Sequence, residues 1–170
     1  MNETTINRLQ QGEVLINLSY LSGDVVGVSS TILIDALPAK VWMALTDYDN
    51  LSRYLPKVLS SKLVERNGSE ISLDQTGKTG IFIFEKHVHF RLKIKEEYPN
   101  KITFEQINGD FEVYQGEWIL ETIKSIQGTL LSYNAEIKPL FFAPPILVNF
   151  IQRQDMPGIM NAHKQRAESL

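Results

Sequence analysis

Apolar and polar positions alternate along most of this chain, and a period of two marks strands with one buried face. Val14, Ile16, Leu18 and Tyr20 alternate with mostly polar partners, Ser22-Gly23-Asp24 supplies turn chemistry, and Val26, Val28, Ile32 and Ile34 resume the alternation. A long amino-terminal hairpin is predicted. The period then changes. Pro38 suits the first turn of a helix, where a missing N–H does no harm, and Val41, Trp42, Ala44 and Leu45 follow at helical spacing. Asp47 or Asp49 is placed to cap a second short helix carrying Leu51, Tyr54 and Leu55. That helix must stop before Pro56, because the residue preceding a proline avoids the helical region.

From Lys57 the strand pattern returns, with breaks expected at Asn67-Gly68, near Gly77 to Gly80, at Pro99-Asn100, at Gly109-Asp110 and at Gly128. Five or six successive antiparallel strands result. Beyond Phe141, Phe142, Pro144 and Pro145 the chain reads as a helix from about Ile146 to Glu168. Leu147, Ile151, Ile159 and Ala162 fall on one face, and Pro157 is expected to kink or divide the helix. Such an order gives an α+β protein in which the terminal helix is the only long element available to cover the sheet. A strongly curved sheet wrapped on a single helix usually fails to close completely, and the gap can become an apolar cavity.

Several short runs resemble a known superfamily. Ile32-Leu-Ile-Asp-Ala-Leu-Pro-Ala-Lys-Val-Trp42, Leu45-Thr-Asp-Tyr-Asp-Asn-Leu51, Tyr54-Leu-Pro56 and Gly116-Glu-Trp118 are similar to the START-like (SRPBCC, helix-grip) superfamily. Within it they look most like the polyketide cyclase/dehydrase group that includes coenzyme Q-binding START-type proteins. The resemblance covers roughly Val25 to Ala167 and leaves an extra strand, about residues 12–22, outside. It implies a curved antiparallel sheet wrapped around a long C-terminal helix, with two short helices after the first strand. It also implies a deep pocket for a lipid, isoprenoid, quinone or polyketide-like molecule. Members that catalyse cyclisation or dehydration share this fold with members that only bind and carry, so the fold alone does not choose between them.

Composition narrows the chemistry. The 170 residues suit one domain, 1–170, and include no cysteine, which removes disulfides, zinc ribbons, iron–sulfur clusters and thiol catalysis. A formal charge of −3 offers no overall attraction to nucleic acid. Met1 to Gln10 contain no apolar signal core, and no apolar run approaches the roughly 18 residues of a spanning helix, so a soluble cytoplasmic protein is expected.

Strand alternation assigns Gln75, Phe82, Phe84, Phe90, Gln106, Asn108, Tyr114, Trp118 and Tyr133 to the inward face, joined by Ile151 from the helix. On an apolar wall the polar members could orient a hydrophobic ligand, or simply pair with one another. The aromatics could equally be plain core. Tyr114 and Tyr133 are the only inward groups with a titratable proton, so a cyclase or dehydratase would have to use them as weak acids or oxyanion donors. No inward Asp, Glu or His accompanies them, which favours a carrier of a hydrophobic small molecule over an enzyme.

Glu85, His87 and His89 share a strand face at a spacing that permits a metal. It is the face opposite the phenylalanines, however, and reads as solvated, so neither metal nor cofactor is expected. Gly77-Lys78-Thr79 ends like a phosphate loop, but Ser72 stands where the first glycine is needed and Ile81 to Phe84 favours a strand. Phe141 and Phe142 lie in a proline-bounded loop before the last helix. That position could gate the cavity mouth or touch a membrane transiently, or cap the sheet edge as core.

Overall fold

Asn2 caps a short helix, α1 (Glu3–Gln10), by accepting the Thr5 amide at 2.8 Å, in a computed structural model that describes residues 1–81, 84–123 and 126–170. Only Leu9 of this helix is buried, too little periodicity for the sequence pattern to reveal it. The expected hairpin follows as β1 (Leu15–Tyr20) and β2 (Val26–Ile34), with Leu15 opposite Thr31 and Tyr20 opposite Val26. Every second residue of β2 from Val26 to Ile34 is buried, as strict alternation requires.

Helix α2 (Pro38–Thr46) places Pro38 at its start and buries Val41, Trp42, Ala44 and Leu45. The second short helix is a 3₁₀ segment, Tyr48–Arg53, and neither candidate acid caps it. Asp47 instead accepts the Asn50 side-chain amide at 2.7 Å, and Asp49 accepts the backbone amide of Leu63 at 2.8 Å, which ties this segment to the next strand.

Six strands come next: β3 (Val58–Asn67), β4 (Glu70–Ile81), β5 (Phe84–Glu97), β6 (Lys101–Gly109), β7 (Phe111–Glu121) and β8 (Thr129–Pro139). Together the described residues form one antiparallel sheet in the order β1-β2-β8-β7-β6-β5-β4-β3, a meander brought back by the pairing of β8 with β2. The break expected near Gly77 to Gly80 is absent, because β4 runs unbroken to Ile81. Gly77 serves close approach rather than a turn: a Cβ there would sit 2.9 Å from the Lys57 carbonyl oxygen. Asn108 also departs from the alternation. Leu92 pairs with Gln106 and Arg91 with Asn108, so Ile107 is an extra residue in β6 that turns Asn108 outward.

The last helix, α3 (Pro145–Ser169), packs against β2, α2 and β1. It continues through Pro157 without dividing. Its buried stripe is Val148, Ile151, Met156, Met160, His163 and Ala167, rotated by about one residue from the expected face, and Leu147 is 36% exposed. The displacement has a simple cause: inward positions on this helix include polar Asp155 and His163, which a search for apolar spacing passes over. Among the described residues no helix is long and apolar enough to cross a membrane.

Candidate functional site

Between the sheet's inner face and α3 lies a cavity of about 240 Å³. Alternation on the central strands supplies one wall, with Leu73 from β4, Val88, Leu92 and Ile94 from β5, and Ile102 from β6. Val148, Ile151, Met156 and Ile159 of α3 supply the other.

A chain of rings lines the space. Phe90 meets Tyr114 edge-on at 5.2 Å, Phe104 stacks on Tyr133 at 6.0 Å, Trp118 approaches Tyr133 at 4.6 Å, and His163 meets Trp118 at 5.0 Å. Gly116 makes room for this packing. It stands opposite Ala135, and a Cβ on it would collide with the Asn134 carbonyl and come within 2.8 Å of the Phe104 ring.

Polar groups in the cavity fall into two sets. Deep among the rings, burial pushes the Tyr114 and Tyr133 phenols up so that both keep their protons at neutral pH. His163 is only 3% exposed, its Nδ1 has no hydrogen-bond partner among the described residues, and burial lowers its pKa to about 4, so the imidazole is neutral. The second set lies toward Pro56 and Phe141. There Lys57 Nζ stands 4.0 Å from Asp155 and 3.9 Å from Glu85, and Lys78 is 3.5 Å from Glu85. Burial raises the Asp155 carboxyl above its usual range, with Lys57 pulling the other way. Nearby, Lys86 lies 4.2 Å over the Phe141 ring.

Gln75, Phe90, Tyr114, Trp118, Tyr133, Ile151 and Phe141 all border this one cavity. Gln75 donates to Ser61 Oγ at 3.1 Å. Gln106 is used elsewhere: its amide donates to the Phe111 carbonyl at 2.7 Å and accepts the Phe111 N–H at 3.2 Å, clamping the β6–β7 turn. Phe142 points away and is 93% exposed. Phe82 lies outside the described residues. The described backbone of Phe84 pairs with Ile81.

The expectation of no inward acid or histidine is corrected by Asp155 and His163, both contributed by α3. Counting inward polar positions on the helix as well as the strands would have found them. Glu85, His87 and His89 are exposed, and Glu85 is engaged by the two lysines. Among the described residues no group of three or more His, Cys, Asp or Glu is arranged to hold a metal.

With this geometry in view, comparison with known proteins decides the family. A model described as polyketide cyclase/dehydrase and lipid transport matches residues 34–164. The chain belongs to that family. No curated protein sequence matches it. Among solved structures, TTHA0849 from Thermus thermophilus is similar with a TM-score of 0.72 and 20% identity, covering 84% of this chain and 97% of that one. The Zhui aromatase/cyclase from Streptomyces sp. R1128 gives 0.72 and 14%, with 85% and 94% covered. Human STARD10 gives 0.67 and 12%, with 98% and 80% covered. At such identities the likeness is one of fold, the helix-grip arrangement of the START/SRPBCC superfamily. Lipid transport and polyketide cyclisation are both represented among members of this family and fold.

Proposed function

We propose that this family member binds and carries an uncharged hydrophobic small molecule, of the lipid, isoprenoid, quinone or polyketide-like class, with the whole chain acting as one START-like domain. The observation that carries this reading is the unfilled apolar space between sheet and α3. An apolar cavity of about 150 Å³ suffices to hold benzene, and this one is about 240 Å³. Removing about 300 Å² of apolar ligand surface from water would contribute roughly 7 kcal/mol before the entropic cost of association is subtracted. That gain is non-directional, so a few polar groups must fix orientation.

A second reading, cyclase or dehydratase action on a polyketide-like or isoprenoid substrate, is favoured by one observation. A neutral imidazole faces the same cavity as two phenols that keep their protons, so hydrogen-bond donors and an acceptor converge on one apolar space. Loss of turnover with retained binding in Tyr114→Phe or Tyr133→Phe would support that reading over carriage.

Native mass spectrometry of protein purified under mild conditions tests the carrier. A copurified lipophile is expected in the wild type and absent from Val88→Trp, which fills the cavity. Bare protein that takes up no added naphthalene would remove the proposal. The loop at Phe141 and Phe142 is proposed as the gate through which the ligand passes, with transient membrane contact during exchange.

A further inference from the structure

Three buried polar side-chain atoms lack a hydrogen-bond partner among the described residues: Ser30 Oγ, His163 Nδ1 and Arg166 Nε. Only His163 belongs to a side chain that borders the cavity; its Nδ1 is enclosed by protein, and Nε2, which makes no hydrogen bond among the described residues, is the ring nitrogen left open to the space. A buried polar group left unpaired costs about 1–3 kcal/mol, and an apolar residue of similar shape would avoid that cost. A neutral imidazole offers one N–H donor and one acceptor, so it can serve either a carbonyl or a hydroxyl.

The surroundings restrict what could pair with it. Trp118 meets the imidazole at 5.0 Å and Tyr54 at 6.2 Å, and the Tyr54 hydroxyl is already committed to the Ala44 carbonyl. Arg166 lies across the Tyr54 ring at 5.6 Å, and its charge is paired with Asp47 at 3.6 Å. The cavity's own charges, Lys57, Lys78 and Asp155, are grouped at the Phe141 end. Along α3, Asp155 and His163 are eight residues apart, about 12 Å at 1.5 Å per residue. An anion beside His163 would therefore be buried without a counter-charge, whereas an uncharged oxygen would find a partner.

We infer that the His163 end of the cavity is a hydrogen-bonding subsite for an uncharged oxygen, such as a ketone, quinone, phenol or alcohol. The ligand enters oxygen first, with its hydrocarbon directed back toward Phe141. This inference rests on the ligand-binding reading above and adds to it a chemical class and an orientation.

Three probes of nearly equal size test it: naphthalene, 2-naphthol and 2-naphthoate, titrated by fluorescence into the wild type, His163→Phe and His163→Gln. The wild type is expected to prefer 2-naphthol over naphthalene by about tenfold, the worth of one net hydrogen bond, and to bind 2-naphthoate most weakly. His163→Phe should keep naphthalene and lose the preference, while His163→Gln should restore part of it. An unchanged preference in His163→Phe would overturn the subsite and leave the cavity reading intact, whereas no uptake of any probe by the wild type would remove both. Should His163→Phe fail to fold, the imidazole ¹⁵N resonances of the wild type decide. They are expected to move on addition of 2-naphthol and to stay in place with naphthalene; equal responses to the two would overturn the subsite.

Discussion

His163 couples the cavity to pH. Its folded pKa is about 4 against an ordinary 6.5, because burial penalises the charged ring. The native state therefore resists protonation that the unfolded chain accepts. Stability is fully present above pH 6.5, falls as pH drops toward about 4, and gains no further loss from this group below that. The total is on the order of 3 kcal/mol. Urea unfolding of the wild type and His163→Phe between pH 7.5 and 4 should show a steeper loss in the wild type; parallel curves would deny the buried neutral ring. At Gly116 the prediction is steric. Gly116→Ala should cost about 1–3 kcal/mol in the same assay, because its Cβ meets the Asn134 carbonyl and the Phe104 ring. Residues on strands were the legible ones. Phe90, Tyr114, Trp118 and Tyr133 follow from alternation alone, since a period of two leaves no choice of face once the core side is known. His163 was hidden because a polar residue on a helix interrupts the apolar stripe by which the face is recognised.

At the scale of elements, α3 carries an internal proline whose missing N–H leaves the Arg153 carbonyl without its helical partner. Pro157→Ala should raise the melting temperature by a few degrees, at about 2–4 °C per kcal/mol for a chain of this size. A lower value would show that the helix depends on the proline's geometry. Phe142 just ahead of α3, and Ile146 and Phe150 within its first turns, are exposed, while Phe141 borders the cavity. Phe142→Ala should leave stability within about 0.5 kcal/mol and slow ligand transfer to vesicles; transfer at the wild-type rate would deny the gate. Turn chemistry located the hairpins at Asn67-Gly68, Gly109-Asp110 and Gly128. It misread Gly77 to Gly80, where Gly77 answers a close backbone approach that only pairing with β3 creates. The extra residue at Ile107 was equally invisible, since a bulge is a property of two strands in register and not of either alone.

For the whole molecule, the order of elements together with the resemblance in Ile32 to Trp42 and Gly116 to Trp118 already indicated a sheet gripping one helix. The space left between them was not legible in the same way. It is a small difference between the room enclosed by a curved sheet and the volume of the side chains that fill it, and it turns on details such as the Gly116–Ala135 pair and the tilt of Trp118 against Tyr133. Carriage of any ligand depends on whether that space admits a guest. Methyl-resolved NMR during titration with naphthalene measures this directly. Saturable shifts confined to Leu73, Val88, Leu92, Val148 and Ile151 are the predicted result; unshifted methyls at these positions, or shifts confined to the sheet's outer face, would contradict it.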